Sequence, residues 1–250
     1  MEQFSRTEML IGPEGLEKLN KSKVLIFGLG GVGSFTTEAL ARIGIGSFKL
    51  VDYDKICLSN LNRQIHALHS TLGRYKVEVM AERIKDINPE AQVETYTTFY
   101  TQEQAEFFLQ DKPDYVIDAI DTVKSKVSLA VECYRRNIPF ISCMGAGNRL
   151  DASSFRIADI SKTTGDPLAK AVRKLLREEG ITQGFKVLFS PQPPLKPRQA
   201  ESSCSDAVNS DFNSDFPQKR QFPGSVSFVP PVAGLLIAGE VVRDLLGYYD

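Results

Sequence analysis

Apolar and polar positions along this chain change period repeatedly, and the changes divide it into strands and helices. Val24-Leu25-Ile26-Phe27 is a short continuous apolar run closed by glycine, which predicts a buried strand over 23–28 and a helix over 34–43 behind it. Phe48 to Asp52 reads as a second strand. From 73 to 87 the apolar positions Val77, Met80, Ala81, Ile84 and Ile87 keep the helical period and stop at Asn88-Pro89, where proline cannot continue the helix. Residues 92–98 alternate like a strand and 102–109 suit a short helix. A buried parallel strand over 115–119, a helix over 124–137 and a strand over 139–143 follow. Alternation at this spacing predicts an α/β fold, a mainly parallel sheet with helices on both faces.

After Gly145-Ala146-Gly147 the pattern loosens. Residues 154–160 alternate like a half-exposed strand, which suits an antiparallel extension of the sheet, and 166–179 read as a helix. Residues 190–224 are rich in Pro, Ser, Asn, Asp and Gln and poor in aliphatics. Such a stretch is too long for a passive connection, so it reads as a mobile functional loop or a partly disordered segment. The pattern returns with Val226 to Pro231 and a closing helix to Leu246. The organisation expected is a core over 1–150 and a C-terminal extension of the same domain over 151–250.

The glycines after the first strand carry candidate chemistry. In Gly28-Leu29-Gly30-Gly31-Val32-Gly33, Gly28 allows the tight turn, Gly30 lets the backbone approach a phosphate and Gly33 lets the helix pack on the sheet. The free N–H groups and positive dipole end of that helix face the anion. Asp52, at the end of the second strand, suits a ribose hydroxyl. The doubly wound sheet is therefore Rossmann-like and binds a nucleotide, and this pattern alone does not say which.

Composition changes the picture little. A length of 250 residues allows one large α/β domain, and a net charge of -1 gives no global field for a polyanion. The longest apolar candidate, Val232 to Ile237, runs into Glu240, Arg243 and Asp244 and reads as a buried helix rather than a membrane span. The start, Met1 to Arg6, lacks the apolar core of a signal peptide, so the cytoplasm is the expected location. Cys57, Cys133, Cys143 and Cys204 are far apart with no CxxC pair, which argues against a disulfide framework or a zinc site.

Further residues separate a dinucleotide from a triphosphate. Asn60 and Arg63 lie just past the Asp52 strand, Lys76 opens the next helix, and Asp121 follows the strand over 115–119. In a doubly wound sheet these positions border the crevice of the glycine turn. Arg and Lys there neutralise phosphate charge, and a carboxylate can hold Mg2+. A nicotinamide enzyme has no use for that set.

Gly28-x-Gly30-Gly31-x-Gly33, Asp52-x-Asp54, Ser59-Asn60-Leu61-x-Arg63-Gln64, Lys76 and Asp121, in that order, resemble the adenylation domain of the ubiquitin-activating-like enzymes. That group includes ThiF, MoeB and HesA, the bacterial activators of sulfur carriers among them. The resemblance covers residues 4–147. It implies that the glycines, Asp52, Asp54, Ser59 and Asn60 bind ATP, that Arg63 and Lys76 act on its phosphates, and that Asp121 supports Mg2+ and the phosphates. It also implies a homodimer that makes acyl adenylates, with Arg6 of each protomer reaching the partner's ATP.

The sulfur-carrier activators typically hold structural zinc through paired CxxC motifs, which this sequence lacks. Residues 159–163, 166–168 and 224–231, with Asn62 to Ala67, instead resemble the tRNA threonylcarbamoyladenosine dehydratase branch. That implies ATP-dependent cyclisation of the threonylcarbamoyl group on the adenosine beside the anticodon. Some members carry a membrane-seeking tail; here the sequence closes on Tyr248-Tyr249-Asp250 and no membrane insertion is expected.

The remaining candidates stay open. Cys204 sits roughly where relatives keep a thioester- or persulfide-forming thiol, yet the dehydration needs no thiol, so a role and a plain loop cysteine are both open. His66 and His69 have HxxH spacing without a third ligand and read as local polar residues. Lys162, Arg173, Lys174, Arg177, Lys196, Arg198, Lys219 and Arg220 are candidates for a tRNA surface. Whether a monovalent cation orders the site is open, as is a sulfur-relay partner of the cysteine desulfurase system. Two alternative readings remain: activation of a ubiquitin-like sulfur carrier, and a plain NAD-binding module.

Overall fold

The computed structural model describes residues 2–198 and 223–248, and within them one seven-stranded sheet forms the frame. Its strands are β1 (Lys23–Phe27), β2 (Ser47–Val51), β3 (Gln92–Tyr96), β4 (Tyr115–Asp118), β5 (Phe140–Cys143), β6 (Arg156–Asp159) and β7 (Lys186–Phe189). They lie in the order β3-β2-β1-β4-β5-β7-β6. Every neighbouring pair is parallel except β6 with β7. The antiparallel extension is thus a single edge strand.

Alternation along each strand divides the interior into two cores. Val24 and Ile26 of β1, Phe48 and Leu50 of β2, Ile117 of β4 and Leu188 of β7 face one side. Leu25, Phe27, Val51, Val116, Val187 and Phe189 face the other. Because side chains alternate across a strand, a strand buried on both faces is apolar at nearly every position, which is why these runs are close to continuous. On the first face pack α2 (Gly33–Arg42), α3 (Lys76–Ile87) and α7 (Val229–Leu246); on the second pack α4 (Ala105–Leu109), α5 (Val123–Arg136) and α6 (Pro167–Glu178). Edge-to-face contacts of Phe27 with Tyr100 and Phe108, at centroid distances of 4.8 and 5.4 Å, fix β1 against the α4 side.

The strand order fixes where a ligand sits. From β1 the chain moves to β2 and β3 on one side, then crosses back to β4 on the other side of β1. The helices that follow β1 and β4 therefore diverge, and a crevice opens beyond the carboxyl ends of these two strands. α7 closes one flank: a Cβ on its Gly234 would lie 2.4 Å from the Val32 carbonyl, and Thr36 Oγ1 donates to Gly234 O at 3.1 Å.

Two elements were not expected from the sequence. α1 (Ser5–Lys21) is interrupted at Gly12, whose φ is +73°, and by Pro13, so neither half shows a sustained apolar period. β7 is four residues long, below the length at which a periodicity can be recognised. Among the described residues no helix is long and apolar enough to cross a membrane. Of the 190–224 stretch, residues 199–222 lie outside the described residues.

Candidate nucleotide site

Gly28 turns out of β1 with φ +86°, and its N–H donates to Val51 O at 2.8 Å. A Cβ there would lie 2.7 Å from the Ala119 carbonyl, and one on Gly33 would lie 1.8 Å from Gly28 O. Both positions therefore require glycine for internal reasons. Gly30 is different: a Cβ there would meet nothing within 4 Å. The space above Gly30 is a cradle that a side chain would fill, at the start of α2, and it suits a phosphate. Gly31 has Pro230 of α7 on one side and the Arg63 stem on the other.

Asp52 follows β2 and is buried, with Oδ2 accepting from Leu29 N–H at 2.6 Å and Oδ1 from Asp54 N–H at 2.8 Å. It thereby holds the glycine turn as well as standing where a ribose would lie. Burial pushes its carboxyl above the usual range, Lys76 opposes that, and Asp54 adds to it.

Asn60 and Arg63 are carried by a loop rather than by a strand end. Ile56 N–H donates to Arg74 O and Gly73 N–H to Ile56 O, each at 2.9 Å, and Lys76 N–H donates to Asp54 O at 3.1 Å. This pairing closes the neck of a loop over 57–72. Within it a 3-10 turn, Leu58–Asn60, is capped by Asn60 Oδ1 accepting from Cys57 N–H. Arg63 Nη1 donates to Ser59 O and Asn62 Oδ1, both at 2.9 Å, and Asn62 Nδ2 donates to Ser225 O at 3.0 Å. The guanidinium is thus held by its own loop.

Lys76 is the first residue of α3 and is 4 % exposed, with Nζ 2.6 Å from Asp54 Oδ2. Burial disfavours the ammonium, but Asp52 and Asp54 outweigh it and raise its pKa, so Lys76 is held charged. The opposite wall is the turn after β4, which carries the exposed Asp121 against the glycine turn; Thr122 Oγ1 donates to Asp121 Oδ1 at 3.3 Å. Direct contacts therefore knit Gly28, Leu29, Asp52, Asp54 and Lys76 into one crevice, with Arg63 over Gly31 and the Asp121 turn behind Gly28.

The other candidates separate. Arg6 is exposed near the start of α1, and Phe4 packs at Gly44 in the α2–β2 connection, at the amino ends of the strands and away from this crevice. Lys162, Lys174, Arg177, Lys196 and Arg198 are exposed. The Arg173 guanidinium is engaged with the carbonyl and hydroxyl of Thr163. Cys204, Lys219 and Arg220 lie outside the described residues. His69 is exposed, but His66 is a core residue, 2 % exposed, and neither of its ring nitrogens has a hydrogen-bond partner among the described residues. Burial, with Lys76 and Arg83 adding to it, lowers its pKa to about 3.

Two polar clusters escaped sequence reasoning. Asp118, Lys126 and Ser142 form a fully buried group under the Asp121 turn. Its signal is a lysine in the apolar stripe with Leu129, Ala130 and Cys133. Arg149, 6 % exposed, donates to Gly145 O, Gln192 O and Asp166 Oδ2, while Asp166 caps α6 through Leu168 and Ala169 N–H.

Comparison with known proteins gives consistent matches. The model of the ThiF family matches residues 4–250. A tRNA threonylcarbamoyladenosine dehydratase of Bacillus subtilis (strain 168) is 50% identical over 246 residues, covering 98% of this chain and 95% of that protein. The crystal structure of E. coli tRNA N6-threonylcarbamoyladenosine dehydratase, TcdA, in complex with AMP superposes with a TM-score of 0.86 at 33% identity, over 98% of this chain and 94% of that one. The same enzyme in complex with ATP gives 0.84 at 32% identity, with the same coverage.

Proposed function

The chain belongs to the ThiF family, and from that premise we propose that it uses ATP to dehydrate the threonylcarbamoyl group of N6-threonylcarbamoyladenosine next to the anticodon in tRNA. One observation carries the reading: the glycine turn, Asp52, Asp54, Lys76 and Arg63 are tied by direct contacts into a single crevice. The end-to-end similarity to a dehydratase directs that crevice to tRNA rather than to a carrier protein.

The chemistry follows from what a carboxylate lacks. Its carbon is electron-rich and its oxide leaves poorly, so it resists attack. A carboxylate oxygen attacks the α-phosphorus of ATP, pyrophosphate leaves, and a mixed anhydride forms. The neighbouring ureido group then closes on the carbonyl, the oxygen departs with AMP, and the ureido group gives up one proton to water. Both reacting groups belong to one nucleoside, so closure is intramolecular and proximity supplies much of the acceleration.

This chain's residues supply the rest. The α2 N-terminus above Gly30 receives phosphate, Asp52 the ribose, and Arg63 and Lys76 take up charge that moves onto the leaving pyrophosphate. Release of Lys76 from Asp54 toward the phosphates exchanges one anionic partner for another. Mg2+ fits the donor set, because it takes one or two carboxylates together with phosphates and water, and Asp121 is an exposed acid on the turn that packs against Gly28. When bound it neutralises triphosphate charge. Among the described residues no group of three or more His, Cys, Asp or Glu could hold a metal ion by itself.

A homodimer completes the site in this reading. Met9 and Leu10 on α1 are 83% and 85% exposed, Leu235 and Leu236 on the adjoining α7 are 49% and 40% exposed, and Arg6 follows Phe4, which packs at the amino ends of the strands. The exposed cations Lys162, Lys174 and Arg177 around α6 are offered as tRNA contacts. The reaction runs in the cytoplasm, and no thiol is needed. The deciding experiment incubates protein, ATP, Mg2+ and bulk tRNA and follows threonylcarbamoyladenosine by nucleoside mass spectrometry. Loss of one water is expected. An unchanged nucleoside, with pyrophosphate exchange stimulated by a ubiquitin-like carrier, would replace this reading with the sulfur-carrier one.

A further inference from the structure

A lysine lies on the buried face of α5. Lys126 shares that face with Leu129, Ala130 and Cys133, and neither it nor its partner Asp118 is exposed at all. Lys126 Nζ donates to Asp118 Oδ2 at 2.8 Å and to Ser142 Oγ at 3.2 Å, and the Ser142 hydroxyl donates to the same Oδ2 at 2.6 Å. Taking both charges out of water is costly, and apolar residues of similar volume would often stabilise such a position as well or better. Packing alone therefore does not account for the charges.

What they fix is the turn after β4. Asp118 Oδ1, the oxygen that Lys126 leaves free, accepts from Ile120 N–H at 3.0 Å. Ala119 N–H donates to Phe27 O at 2.8 Å, Lys126 N–H donates to Thr122 O at 3.0 Å, and the Ala119 carbonyl fills the slot that keeps residue 28 a glycine. One carboxylate thus joins β4, β5, α5 and the 119–122 turn, and Asp121 is the exposed acid on that turn.

We propose that Lys126 is a positioning residue: by clamping Asp118 it sets the 119–122 turn so that Asp121 is presented to the Mg2+-bound triphosphate. This rests on the reading of Asp121 given above. A lysine that merely stabilised the fold would, on removal, lower the fraction of competent protein and affect every titration alike. A lysine that positions Asp121 affects the part of ATP binding that depends on Mg2+.

The test is calorimetric titration of ATP into the protein, once in excess EDTA and once in Mg2+, and the quantity read is the gain in affinity due to Mg2+. Asp118→Asn with Lys126→Met removes the clamp without leaving a buried charge unpaired. Its Mg2+-free affinity should match the wild-type chain, and its gain should shrink by roughly tenfold or more, the usual effect of losing a partner that orients a metal ligand. Ser142→Ala, a milder change, should lose part of the gain in the same direction. A folded double variant with the wild-type gain overturns the proposal; if the double variant does not fold, a wild-type gain in Ser142→Ala overturns it. Asp121→Ala, titrated in parallel, separates the two claims. If it keeps the gain, the reading of Asp121 falls; if it loses the gain while the clamp variants keep theirs, only the positioning role falls.

Discussion

Residues that look alike in the glycine run do different work, and substitution should separate them. Gly28 and Gly33 are constrained from inside, by a φ of +86° and by carbonyls 2.7 and 1.8 Å from where a Cβ would stand. Gly28→Ala should therefore destabilise the fold, by about 1–2 kcal/mol for the left-handed backbone alone before the clash is counted. Gly30 has no such neighbour, so Gly30→Ala should melt at the wild-type temperature yet lose ATP affinity, as seen by calorimetry. Equal losses of stability in both variants would remove the argument for a phosphate cradle. Lys76→Ala tests the charge beside it. Without the Lys76 ammonium, Asp54 is left within reach of water, and the buried Asp52 keeps the Leu29 and Asp54 N–H groups as donors, so the fold should survive. ATP–pyrophosphate exchange should fall on the order of a hundredfold or more, the usual effect of removing one charge from a preorganised site. Normal exchange would exclude Lys76 from the phosphates.

At the scale of elements, the central strands were legible because burial on both faces leaves mostly apolar positions, with Asp118 and Ser142 as buried exceptions, and α3 and α5 because one face alone is apolar. The loop over 57–72 was not legible: its neck depends on the short pairing of 54–56 with 73–76, two segments with no repeating pattern, so Asn60 and Arg63 seemed to belong to a strand end. Lys126 was missed for a related reason, since nothing in a helical pattern marks a lysine as buried until an acid is known to face it. His66 shows the same limit with a consequence that can be measured. Its pKa is about 3 in the folded chain against 6.5 ordinarily, so on acidification the unfolded chain takes up the proton first. The stability that neutral His66 permits is present above about pH 6.5 and is lost as the pH falls toward 3, at about 1.4 kcal/mol per pH unit. Comparing urea unfolding at about pH 7.5 and pH 5, wild-type protein should lose about 2 kcal/mol more than His66→Leu. Equal losses would mean that the ring is solvated.

For the whole molecule, the question is what one chain lacks. Among the described residues the crevice is built with Arg63 and Lys76, while Arg6 is carried near the start of α1, whose exposed Met9 and Leu10 adjoin α7. A two-fold dimer presents the same patch twice, so if α1 of one protomer reaches the other's crevice, the reverse holds as well. Arg6→Ala then damages the partner's site, whereas Lys76→Ala damages its own. Each variant alone should be nearly inactive in ATP–pyrophosphate exchange. Unfolded together and refolded in equal amounts, half of the dimers carry one of each chain. In these the crevice with its own Lys76 intact also receives an intact Arg6 from the Lys76→Ala protomer, while the other crevice lacks both. One working site in half of the dimers corresponds to about a quarter of wild-type activity. Recovery near that value would establish that Arg6 acts across the interface. If the mixture stays as inactive as its components while wild-type protein refolds normally, Arg6 does not complete a partner's site.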